Sequence, residues 1–127
     1  MPEAWNAKMK EYLGIVPSND ADGCLQDVHW SYGDLGYFAT YSLGSMFAAQ
    51  LYEKAVRDIP AIPGQIANGQ FADLLGWLRT NVHTHGRKFT LDDLARRVTG
   101  EPLQSRSYVA YLKKKFGEIY GGVGTFN

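Results

Sequence analysis

The residues best equipped for chemistry lie together in one stretch, Gly23-Cys-Leu-Gln-Asp-Val-His-Trp30, then Tyr32-Gly33 and Gly36-Tyr37-Phe38-Ala-Thr-Tyr41. Gln26 offers an amide, Asp27 a carboxylate, His29 an imidazole, Trp30 an indole, and Tyr32, Tyr37 and Tyr41 phenols. Such groups bind, orient or polarise a substrate, and interleaved glycines let the backbone turn sharply or approach a ligand. No other part of the chain is as dense in these side chains.

Around this stretch the pattern is helical throughout, and the expected fold class is all-α. Pro2 suits a first helical turn and Gly14 a C-terminal stop, giving a helix over residues 3–13. Residues 15–22 read as loop. The segment from Leu35 to Tyr52 carries no formal charge. A helix apolar all round is buried or spans a membrane, and the tyrosines, glycines, Ser42, Ser45, Thr40 and Gln50 make this one too polar for hydrocarbon. The expectation is a buried central helix and no membrane. Pro60 and Pro63 then break the pattern. Phe71, Leu74, Leu75, Leu78 and Val82 recur at helical spacing. Thr90 with Asp93 forms a capping-box pattern that opens a helix over 91–98, ended by Gly100. Tyr108, Tyr111, Leu112, Phe116 and Ile119 mark a last amphipathic helix, with Lys113–Lys115 around its other side. Residues 121–127 read as a loose tail. The domain organisation expected is one helical domain over 1–127 with no internal repeat.

Composition narrows the function classes. Thirteen basic and thirteen acidic residues leave no net charge, so nothing argues for a nucleic-acid partner. A single cysteine, Cys24, excludes an internal disulfide and suits a reducing compartment. With no charged n-region before an apolar h-region, the default localisation is cytoplasmic.

Gly-x-x-Gln-Asp-x-His-Trp, matched by Gly23, Gln26, Asp27, His29 and Trp30, resembles a signature of the Taq-type thermostable metallocarboxypeptidases. Pro2 to Gly14 looks like the helix before that motif. Gly36-Tyr37-Phe38-x-Thr40-Tyr41-x-Leu43-Gly44 with Ala48-Ala49-Gln50-Leu51 looks like the segment after it. Phe71-x-x-Leu74-x-x-Trp77-Leu78, His85-Gly86, Thr99-Gly100-Glu101, Tyr111-Leu112 and Ile119-Tyr120 are similar to the family's C-terminal end. The resemblance covers nearly all of this chain but only the C-terminal end of a family member, and it implies the C-terminal part of a helical zinc-peptidase fold.

Family members hold zinc or another divalent ion through His-Glu-x-x-His on a helix and a further carboxylate. This chain has only His29, His83 and His85 and no His-Glu-x-x-His, so the ligands and the catalytic Glu would lie upstream of Met1. The resemblance thus implies the C-terminal portion of a zinc carboxypeptidase acting on a peptide substrate, with no metal ligand in this chain and no catalytic zinc bound by it alone. The other reading is a non-catalytic helical module, derived from such an enzyme, that binds a peptide or a partner chain. Sequence upstream of Met1 discriminates the two.

For single residues, functional and structural readings stand side by side. A lone histidine is commonly a core residue. Within this motif, and by a more distant likeness to the His and Gly-Tyr-x-x-x-Tyr of helical zinc oligopeptidases, His29, Tyr37 and Tyr41 are taken as hydrogen-bond donors to substrate or oxyanion. Tyr37 and Tyr41, four apart, would share a helix face. Gln26 and Asp27 either hold substrate or orient their neighbours, Asp27 by bracing His29 or by capping the following turn. Trp5, Trp30 and Trp77 read as packing, and Cys24 as inert for want of a base. His83 and His85 make an incomplete metal pair and read as helix-end histidines. Arg96 and Arg97 read as a solvated face. A charge-free segment needs cover on every side, so a homodimer burying Leu35–Tyr52 is expected.

Overall fold

Pro2 opens the first helix, α1 (Pro2–Leu13), and Gly14 closes it in the left-handed region at φ 72°, its amide donating to the Lys10 carbonyl at 3.1 Å. The structure is a computed structural model that describes residues 1–121; most of the tail expected over 121–127 lies outside the described residues. The described residues are helical, with no strand, and the later helices are α2 (Ala39–Asp58), α3 (Ile62–Ala67), α4 (Ala72–Asn81), α5 (Leu91–Thr99) and α6 (Arg106–Tyr120). Short 3-10 turns occupy Cys24–Gln26, Val28–Tyr32 and His83–His85. The chain divides into two compact units, Met1–Tyr41 and a second that begins at Ser42.

In the first unit, Trp5 and Trp30 pack edge to face, ring centroids 6.2 Å apart. The loop after α1 closes on itself. Asn19 and Ser18 both donate to the Asp22 carboxylate, at 2.8 and 3.0 Å, and the Asp22 amide donates back to Asn19. Gly23 sits against this loop so closely that a Cβ would lie 3.2 Å from the Asn19 carbonyl and from Pro17. Only glycine avoids that crowding.

The second unit centres on Leu51, Ala55, Ile62 and Trp77, with Phe47, Ile59, Leu74 and Val98 packed around them. Trp77 is buried as the packing reading requires, and its indole donates to the Asp58 carboxylate at 2.9 Å. Gln50, 4% exposed, bridges α2 to the segment after α5. Its amide donates to Thr99 Oγ1 at 2.9 Å and to the Pro102 carbonyl at 3.0 Å, and its oxygen accepts from the Gln104 amide at 3.1 Å.

Three expectations about local structure change. Pro63 does not merely interrupt the chain but stands in the first turn of α3, where its missing N–H costs nothing. The cap of α5 is half of the expected box: Thr90 Oγ1 accepts from the Asp93 amide at 3.2 Å, but the shorter Asp93 side chain takes the Thr90 hydroxyl at 2.6 Å. The charge-free segment is not a buried helix from Leu35 onward. Residues 35–38 form a turn, residues 35–44 are exposed, and within α2 only Gln50, Leu51 and Ala55 are buried. The buried apolar residues of α2, Leu51 and Ala55, share one cluster with Ile62 and Trp77, and Phe47 and Val98 pack against it.

Candidate active site

The site belongs to the first unit and is built on two tight turns. Asp27 ends the Cys24–Gln26 turn and caps the Val28–Tyr32 turn, its Oδ1 accepting from the His29 backbone amide at 3.2 Å. The same Oδ1 lies 2.8 Å from Nδ1 of the His29 ring. Both side chains are largely withdrawn from solvent, Asp27 at 7% and His29 at 16% exposure. A carboxylate so placed fixes backbone and ring together, and it leaves Nε2 as the outward-facing nitrogen.

Gly33 and Gly36, both at φ 82°, then reverse the chain. That conformation favours glycine, and it brings the tyrosines back over the imidazole. The His29 ring lies 5.0 Å from Tyr37, 5.6 Å from Phe38 and 5.7 Å from Tyr41, measured between centroids. Tyr37 and Tyr41 meet edge to face at 6.0 Å, although Tyr37 belongs to the turn before α2 and not to the helix. They share a face because the turn over 34–38 continues into the helix, with the Thr40 amide donating to the Tyr37 carbonyl and the Tyr41 amide to the Phe38 carbonyl. His29 Nε2 and the Tyr41 hydroxyl stand 3.4 Å apart, at the outer limit of a hydrogen bond. Tyr37, Phe38 and Tyr41 are all exposed, so an approaching ligand meets these rings before the imidazole behind them.

Of the residues singled out in the sequence, Asp27, His29, Tyr37 and Tyr41 thus converge. Gln26 points elsewhere: its Nε2 donates to the Ala21 carbonyl at 2.6 Å and ties the motif to the preceding loop. Trp30 packs on Trp5, and Cys24 is buried. Sequence reasoning did not single out Phe38. The signal available was its place between two tyrosines in a turn that two glycines force back on the histidine.

His83 and His85 follow α4 directly, and the His85 ring packs on Phe89 at 5.3 Å. Arg96 pairs with Asp92 at 3.0 Å, and the Arg97 guanidinium lies 5.1 Å from the Phe89 ring centre. Among the described residues no group of three or more His, Cys, Asp or Glu side chains is placed to hold a metal ion. Catalytic zinc takes three protein ligands, and the site brings together one imidazole and one carboxylate, too few to form such a centre by themselves. What the cluster can do is hold a polar group of a ligand: an oxygen placed beside Tyr37 and Tyr41 would meet their hydroxyl hydrogens.

No helix of the described residues is long and apolar enough to cross a membrane. The carboxypeptidase Taq (M32) metallopeptidase family model matches residues 1–116. Thermostable carboxypeptidase 1 of Thermus thermophilus is 42% identical over 121 residues, covering 95% of this chain and 24% of that protein. Carboxypeptidase 1 of Bacillus subtilis is 43% identical over 120 residues, covering 94% and 24%. Among solved structures, the M32 carboxypeptidase of Deinococcus radiodurans superposes with a TM-score of 0.83 at 41% identity, covering 94% of this chain and 24% of that one. The chain therefore spans about a quarter of the length of the relatives it matches.

Proposed function

We propose, from the premise that this chain belongs to the carboxypeptidase Taq (M32) metallopeptidase family, that it is the substrate-holding part of a metal-dependent carboxypeptidase. The metal ligands in this reading come from sequence outside these 127 residues, and zinc is the ion the resemblance implies. The substrate is a peptide, cleaved at its C-terminal bond. Hydrolysis converts the flat carbonyl into a tetrahedral centre and places negative charge on its oxygen. Donors aimed at that oxygen act where charge appears, and so lower the barrier more than they strengthen ground-state binding. Tyr37, Tyr41 and His29 are the groups we assign to this task, with Asp27 bracing His29 and Gln26 holding the loop.

The observation that carries the reading is the convergence of Asp27, His29, Tyr37 and Tyr41 in one cluster, its two tyrosines exposed, on turns whose positive φ favours Gly33 and Gly36. We further assign the working assembly to a homodimer and the compartment to the cytoplasm. The exposed charge-free segment supports the first, and a lone unpaired cysteine the second.

The test uses the intact enzyme with peptide substrates. Tyr41→Phe, Tyr37→Phe and His29→Ala should each lower turnover while leaving the thermal midpoint close to that of the parent. Loss of one such donor typically costs about 2.7–4 kcal/mol in the transition state, or about 10²–10³ in turnover. Turnover within about twofold of the parent in all three variants would leave these side chains as packing residues; removing even one such donor typically costs far more than that.

A further inference from the structure

We propose, on the strength of the reading above, that Asp27 is a positioning residue: it fixes the tautomer of His29 so that Nε2 is an acceptor and Tyr41 is the group that presents a hydrogen to the substrate. The argument starts from one oxygen. Asp27 Oδ1 accepts the His29 backbone N–H at 3.2 Å, and the same atom lies 2.8 Å from His29 Nδ1. A carboxylate oxygen has only lone pairs to offer, so the hydrogen in the shorter contact sits on Nδ1. In a neutral imidazole one nitrogen carries the hydrogen and the other a lone pair, and the partner of one nitrogen decides the state of the other.

Nε2 is then bare, and the group facing it is the Tyr41 hydroxyl at 3.4 Å. The O–H donates and Nε2 accepts. The long separation makes this a weak hold, which an oxygen gaining negative charge can displace, because hydrogen bonds to charged acceptors are roughly twice as strong. The groups assigned together above therefore divide in role. Tyr37 and Tyr41 carry the hydrogens, His29 aims that of Tyr41, and Asp27 sets the aim.

Asp27 also caps a turn, so its variant must separate capping from tautomer control. Asp27→Asn does so. The Asn carbonyl oxygen can still accept the His29 backbone N–H, and, being the same atom, it still faces Nδ1; what the variant removes is the negative charge that favours the hydrogen on Nδ1 over Nε2. The 127-residue chain holds only three histidines, His29, His83 and His85, so ¹⁵N spectra of histidine-labelled protein, assigned with His29→Asn, resolve the ring. Above the imidazole titration range the parent should show Nδ1 protonated and Nε2 bare. Asp27→Asn should move the ring toward protonated Nε2, with the His29 backbone amide still slow to exchange. In the intact enzyme the same variant should lower kcat about 10–100-fold, as loss of an orienting partner typically does, with KM little changed.

Protonated Nε2 in the parent overturns the proposal, and it does so even if Asp27→Asn fails to fold. A ring pattern unmoved by Asp27→Asn overturns it too, leaving Asp27 as a turn cap. Normal turnover of Tyr41→Phe beside the expected ring pattern would overturn the delivery role given to Tyr41 and leave the tautomer assignment standing; the carboxypeptidase-site reading itself falls only if Tyr37→Phe and His29→Ala are normal as well.

Discussion

Replacing Gln50 by Ala should destabilise the second unit by about 2–4 kcal/mol, and most of the loss should be local to the segment after α5. Gln50 is 4% exposed, and its amide is shared among Thr99 Oγ1, the Pro102 carbonyl and the Gln104 amide. Truncation strands two of these partners. The third, Thr99, keeps the bond its hydroxyl donates to the Ala95 carbonyl at 2.8 Å. A buried polar group left unpaired costs about 1–3 kcal/mol. Residues 101–104 are half-buried, so water reaches part of what is stranded and each falls in the lower half of that range. Gln50→Glu should be no milder: its oxygen can still take the Gln104 amide, but a carboxylate cannot donate to Pro102 and sets a charge against that carbonyl. Urea denaturation followed by circular dichroism gives the total, and hydrogen exchange at the Gln104 amide gives the local part. A loss below about 0.5 kcal/mol, the usual range for surface substitutions, with Gln104 still protected, would refute the accounting.

Other outcomes follow from the same geometry. The 127-residue chain by itself should neither retain stoichiometric zinc after dialysis nor release C-terminal residues from a test peptide, since its histidines do not assemble a three-ligand site; both activities together would defeat the division of labour proposed. The chain should also self-associate, because Leu35, Phe38, Tyr41 and Leu43 are exposed along a charge-free segment, and a clean monomer mass by sedimentation up to high micromolar concentration would count against this. Acid should erase one identifiable contribution to stability. Lys54, and after it the Trp77 indole, hold Asp58 below the usual carboxylate range, so the unfolded chain binds that proton more readily. The contribution is complete above the unfolded value and disappears as pH falls through the lower native one. Asp58→Asn should accordingly be less stable than the parent at neutral pH, and the gap should close in strong acid; a gap of constant size across that range would refute it.

What could be read from the sequence was what depends on neighbours in the chain. Pro2 and Gly14 bound α1, and Thr90 and Gly100 bound α5, because caps and turns act over a few residues; the candidate site was marked by the likeness of Gly23, Gln26, Asp27, His29 and Trp30 to a family motif. Contacts that join distant residues left no such trace. Nothing local in Asp58 foretells the indole of Trp77, nineteen positions on, and nothing in Gln50 foretells the amide of Gln104, fifty-four positions on. The charge-free run showed that α2 needs cover but not where the cover comes from, and its first turns are bare in this chain. Within the site, the sequence suggested three equivalent donors. Only the shared oxygen of Asp27 separates them, and a side chain two residues away that can either brace a ring or cap a turn looks the same on paper whether it does one or both.

The burial of Cys24 gives the molecule a clock of its own. It is the chain's sole thiol, 4% exposed, and it sits in the first unit two residues before Gln26. A thiol reagent in solution reaches it only when that unit opens, so the labelling rate under native conditions measures the opening equilibrium there, slowing tenfold for each 1.4 kcal/mol or so of local stability. Circular dichroism averages over the whole chain, whereas this signal comes from the unit that carries Asp27, His29, Tyr37 and Tyr41. Any ligand that settles on those side chains in the closed form should be legible as a slower clock, before a single product molecule has been made.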